Sequence, residues 1–169
     1  MTGPLHRFFT DDHRRLEDLL NRATANPAAI DSVAYDEFRR GLLKHIGLEE
    51  KILFPAAQQA SGKAPLPIAA KLRLDHGALA ALTVPPPSTA IVAALRAILA
   101  EHDRLEESPD GIYEQCERLI GEGVGDLLIK LRSTPDLEAM PPNPDPRVID
   151  AVRRTMTRAG YNFDDYAAK

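Results

Sequence analysis

With 169 residues, 44% apolar and 27% charged, the chain is long enough for one domain with a real core, or one domain plus an appendage. A formal net charge of −4 with no Lys/Arg stripe lacks the footprint of a nucleic-acid binder, so no nucleic-acid partner is expected. Cys116, the single cysteine, excludes an internal disulfide and a thiolate zinc cage and is expected to be a buried or idle thiol. The start MTGPLHRFFTDDHRR has no apolar core of a leader, and no segment approaches about eighteen uninterrupted apolar residues. No membrane partner and a cytoplasmic location are therefore expected.

Apolar residues recur at helical spacing and strand-like alternation is scarce, which predicts an all-α chain. The first helix carries an inner stripe of Leu5, Phe9, His13, Leu16 and Leu20 and ends at Asn26-Pro27. The second carries Phe38, Leu42, His45, Glu49, Ile52 and Ala56 and ends at SGKAPLP, residues 61–67. The third presents Ile68 or Ala69, then Leu72, His76 and Leu79; VPPPST, residues 84–89, separates it from the fourth. The fourth presents Ile91, Leu95, Ile98, His102 and Leu105, with Glu106 beside them. Ser108-Pro109-Asp110-Gly111 predicts a stop and restart, with Ser108 as N-cap and Pro109 in the first helical position. A fifth helix runs to about Arg132, and its GEGVG, residues 121–125, fits neither a Walker loop nor a dinucleotide fingerprint; close packing or a bend is the expected use. Residues 133–146 form a Pro-rich linker. A short amphipathic helix follows, with Val148, Ile149, Val152 and Met156 on one side and Gly160 as its stop. Tyr161, Phe163 and Tyr166 in the tail are expected to cover the bundle or a partner surface.

The chain also repeats itself. Asp12-His13 followed by KHIGLEE (44–50) resembles Asp75-His76 followed by EHDRLEE (101–107), so each half reads as a helical hairpin. Two hairpins with short connections predict an up-down four-helix bundle over residues 1–132, with residues 133–169 as linker and C-terminal helix packing on or extending it.

Four histidines and two glutamates thus fall on inward stripes. If each stripe spans about 100° of the helix, six independent residues would all land there roughly once in two thousand trials. An ionised carboxylate in a core costs several kcal/mol unless it is paired, and no Lys or Arg shares these stripes. A di- or trivalent cation would supply the missing charge, and imidazole with carboxylate but without thiolate suits iron, manganese or zinc. The plain alternative is a bundle whose inner polar residues bond only to one another and to water.

The segments DHRRLEDLL, KHIGLEEKILFP, LDHGALAAL and EHDRLEE, in that order over about residues 5–120, resemble the hemerythrin-like family of His-His-Glu cation-binding domains. The resemblance implies a four-helix bundle holding a non-haem di-iron centre. By resemblance His13 and His45 bind one iron, His76 and His102 the other, and Glu49 and Glu106 bridge them. Oxygen-carrying hemerythrins have a further His one turn before the position of His76, where this chain has Leu72; more open positions are implied, and simple reversible oxygen carriage is disfavoured. SPDGIYEQ after Glu107 replaces the apolar run after Glu50 and predicts a break near the metal that admits solvent or another ligand, such as Tyr113. Asp12 and Asp75 fit either a surface or capping role or the acceptor that fixes an imidazole tautomer. Glu50 and Glu107 are rotated away from the bridging pair, and His6 is structural. The expected role is a binding module that senses or buffers oxygen, nitric oxide or another small oxidant rather than an enzyme, as a monomer or homodimer. Iron storage or donation, and di-iron oxidase or peroxidase turnover, are the competing roles.

Overall fold

The structure is a computed structural model and describes residues 3–26 and 28–167. Pro27, half of the expected end of the first helix, lies outside them. All regular structure among the described residues is helical. The elements are α1 (Pro4–Ala23), α2 (Ser32–Leu48), a π-helical segment (Glu49–Leu53), α3 (Phe54–Ala60), α4 (Ala69–Leu82), α5 (Thr89–Glu107), α6 (Ile112–Ile120), α7 (Val124–Ser133), α8 (Arg147–Ala159) and α9 (Asp164–Ala167). The chain forms two compact units: residues 1–69 with 104–139, and residues 70–103 with 140–169. No helix of the described residues is long and apolar enough to cross a membrane.

In the first unit α1 and α2 form a hairpin, and α6 packs on α1 and α3. Both ends that matter are capped by side chains. Asp31 accepts from the backbone N–H groups of Val33 and Ala34 at 3.0 and 3.1 Å, satisfying donors that α2 leaves open at its start. Glu117 of α6 does the same for α1 from a distance, accepting from the N–H groups of Leu5 and His6 at 3.3 Å each. Gly3 is the N-cap of α1, and a Cβ there would displace the Glu117 carboxylate. The α1 stripe is buried as its spacing predicts, and Phe9 stacks on Tyr113 with ring centroids 4.9 Å apart.

The second helix corrects the predicted stripe. Leu53 and Ala57 are fully buried, whereas Ile52 and Ala56 are only partly covered. Pro55 has no N–H to offer, and the backbone widens just before it, with the Phe54 N–H reaching the carbonyl of Glu49 five residues back. One extra residue enters the turn, and every later side chain moves on by one position.

The break after α5 is also built differently from the expectation. Asp110 has φ +62, so Pro109 cannot open a helix; Gly111 is the N-cap of α6 and its N–H bonds to the carbonyl of Ser108 at 2.7 Å. A Cβ on Gly111 would come within 2.5 Å of the Glu106 carbonyl, so the reversal requires glycine. The expected fifth helix is likewise two helices, because Gly121 at φ +56 interrupts it.

In the second unit α4 buries Leu72, Ala78, Leu79 and Leu82, while α5 buries Ile91, Ala94, Leu95 and Ile98. The α8 helix buries Val152, Met156 and Ala159. It ends as the sequence predicts: Gly160 takes φ +92, and Tyr161 donates its N–H to the carbonyl of Met156 at 2.9 Å. The linker is tied down where Asn143 donates its N–H to the carbonyl of Val84. Phe163 is buried and Tyr161 sits against Lys71, whereas Tyr166 is only partly covered.

Candidate metal centre

All six residues singled out by their inward spacing are buried: none of His13, His45, Glu49, His76, His102 and Glu106 exceeds 5% exposure. His13, His45, Glu49 and Glu106 belong to the first unit, and His76 and His102 to the second.

In the first unit, α1 supplies His13, α2 supplies His45, the first residue of the π segment supplies Glu49, and the last turn of α5 supplies Glu106. The Nε2 atoms of His13 and His45 face each other at 3.0 Å. His13 Nε2 lies 3.4 Å from a Glu106 oxygen, and His45 Nε2 lies 3.5 Å from a Glu49 oxygen. His13, His45 and Glu106 each offer one donor atom within 4.8 Å of the others, so they could hold one ion. Tyr113, in the first turn of α6, reaches into this group. Its hydroxyl is 2.7 Å from Glu49, 2.9 Å from Glu106 and 3.1 Å from His13 Nε2.

The outer nitrogens decide what the inner ones can do. His13 Nδ1 lies 2.7 Å from Glu107 Oε1, and His45 Nδ1 lies 2.9 Å from Asp12 Oδ2. An ionised carboxylate can only accept, so each Nδ1 carries the proton and each neutral ring turns an Nε2 lone pair inward. Two lone pairs 3.0 Å apart require a shared proton or a shared cation. Nitrogen donors bound at about 2.1 Å and at right angles to one ion stand about 3.0 Å apart, which is the spacing found here. The donor set therefore fits a transition-metal cation.

The second unit repeats the arrangement. His76 and His102 face each other through Nε2 at 3.1 Å, and His102 Nδ1 lies 3.5 Å from Oδ2 of the fully buried Asp75. Leu72, one turn before His76, is fully buried and adds no donor.

The electrostatics show the same demand for positive charge. Burial opposes a charged ring at His45, but Glu49, Asp12 and Glu106 outweigh it and push the imidazole up to about 10. Burial and the two carboxylates together hold the Tyr113 phenol well above its ordinary value. Against its burial, Glu107 is held at about 2 by His13 and Arg14.

The family described as the hemerythrin HHE cation binding domain matches residues 5–110. The chain belongs to that family. No match was found among curated proteins or among solved structures. Its fold class is accordingly all-α and hemerythrin-like, with additional C-terminal helices, and it carries His/Glu groups that could hold a cation. In this hemerythrin-type domain α6 to α9 lie beyond the matched span, and so does Tyr113.

For Asp12 and Asp75 the sequence offered a tautomer-fixing acceptor as one role but not its partner, and for Glu107 it offered no contact with an imidazole. Asp12 and Asp75 serve the histidine of the neighbouring helix in each hairpin, not the histidine they precede; consecutive helical residues point about 100° apart, so each Asp turns away from its neighbour. Glu107 stands outside the inner group, as its rotation implies, but it is the residue that orients His13. The available signal was its place one residue after Glu106. His6 bonds through Nε2 to the Glu107 carbonyl at 3.0 Å and takes no part in the inner group.

Proposed function

We propose that this domain holds two iron ions, one on His13 and His45 and one on His76 and His102, with Glu49 and Glu106 as bridging carboxylates. The observation that carries the reading is the paired imidazoles: two facing Nε2 pairs, at 3.0 and 3.1 Å, each with a carboxylate toward an outer ring nitrogen. The assignment of two ions and the choice of iron rest on the family pattern; manganese or zinc would satisfy the same donors.

When bound, such a centre supplies redox-active metal with open positions for oxygen, nitric oxide or another small oxidant. The chain's own residues shape how those positions are reached. Leu72 keeps one side of the His76 helix free of a further imidazole. Tyr113 keeps a phenolic O–H on Glu49 and Glu106, and so brings to the site either a proton donor or, once deprotonated, another oxygen ligand. These features support a sensing or buffering module.

The test is elemental analysis of protein purified without added metal, followed by visible spectra under oxygen and nitric oxide. Two irons per chain and a spectral change with either gas are expected. A chain that takes up no metal after anaerobic loading would refute the proposal, and a loaded chain with an unchanged spectrum would refute the gas-binding part.

A further inference from the structure

Lys71 joins two parts of the second unit that are distant in sequence. From the start of α4 its ammonium donates to Asp75 Oδ1 at 2.5 Å and to the carbonyl of Ala159, the last residue of α8, at 2.9 Å. It also stands 3.4 Å from the Tyr161 hydroxyl and 4.6 Å from the centre of that ring. The Gly160 turn presents both of these groups, since it leaves the carbonyls at the negative end of α8 pointing outward and brings Tyr161 back beside them.

Asp75 is the other end of this contact. Its carboxylate is fully buried, one oxygen on Lys71 and the other 3.5 Å from His102 Nδ1. A buried carboxylate keeps its charge and its orientation only while a partner holds it. In the first hairpin the equivalent Asp12 is held by Arg15 of its own helix at 2.7 Å. In the second hairpin the cation is itself held by the C-terminal extension.

We propose that Lys71 is a positioning residue for His102, acting through Asp75, and that the end of α8 with Tyr161 holds Lys71 in place. The extension, which lies outside the family match, would then set how firmly one histidine of the centre is oriented. This rests on the reading of His102 as a metal ligand. Loss of a carboxylate behind a metal-bound imidazole lowers metal affinity by about 10- to 100-fold, which sets the effect to look for.

The experiment follows release of iron from the loaded full-length chain to a chromophoric chelator, with helical circular dichroism and melting temperature recorded for each variant. K71M should release iron about 10-fold faster, K71R should return to within about two-fold of the wild type, and Y161A should be faster by a smaller factor. D75N should match K71M, and the double variant K71M/D75N should be no faster than D75N alone. Should K71M not fold, K71Q replaces it. A K71M rate equal to wild type, or additive effects of K71M and D75N, would overturn the proposal; a wild-type rate in Y161A would remove the extension from it. A wild-type chain that binds no iron at all refutes the metal reading instead, and is seen before any variant is compared.

Discussion

Asp12 accepts from His45 at 2.9 Å although His13 is its neighbour in the chain. The imidazole of α2 is thus oriented from α1, while His13 on α1 is oriented by Glu107 from the end of α5. Each ring is fixed by an element other than its own.

Replacing either acceptor should therefore weaken metal binding without removing an inner donor. D12N and E107Q are each expected to lower affinity by about 10- to 100-fold, while E50Q stays within about two-fold of wild type. Competitive titration against a chelator of known affinity measures this. Wild-type affinity in both D12N and E107Q would show that the outer carboxylates do not set ring orientation.

The pH dependence should differ between metal-free and metal-loaded protein. His45 in the folded chain is raised from 6.5 to about 10, so its contribution to stability is complete below pH 6.5 and is lost as pH rises through 10. Metal binding needs the neutral ring and strengthens over the same interval. Melting temperatures with and without EDTA should move apart from pH 6 to pH 9; a gap that is constant or that narrows contradicts the assignment. Glu107 acts at the other end of the scale. Its stabilising contribution, present above its ordinary 4.5, is lost as pH falls toward 2.

The widened turn at Glu49–Leu53 makes a prediction opposite to simple helical spacing. Leu53 is fully buried and L53A should cost about 2–5 kcal/mol, whereas I52A should cost about 1 kcal/mol. Urea denaturation of the two variants decides it. A larger loss in I52A would restore the unbroken α-helical register.

Cys116 is fully buried, and burial followed by Glu49 and Glu106 pushes its thiol up to about 12. It should not react with a thiol reagent at pH 8 until the chain is unfolded in denaturant. Rapid labelling of the native protein would place the sulfur in contact with solvent.

The sequence alone determined the helical class, the inward direction of all six His and Glu residues, and the stops at Gly160 and before Pro109. These are local matters: a 3.6-residue period and the backbone limits of glycine and proline act within a few positions of the residue concerned. The family pattern was legible for the same reason, since His-x-x-x-Glu places both side chains on one face of one helix. What followed from the fold was of longer range. Pro55 has no N–H and its ring crowds the carbonyl one turn back, and the widened turn just before it shifted the register of the rest of that segment. Asp12 found His45, Glu107 found His13, and Lys71 joined Asp75 to α8, because these polar groups lose water, wholly or in part, only when elements distant in sequence pack, and a group that loses water needs a protein partner. No spacing rule along the chain encodes that choice.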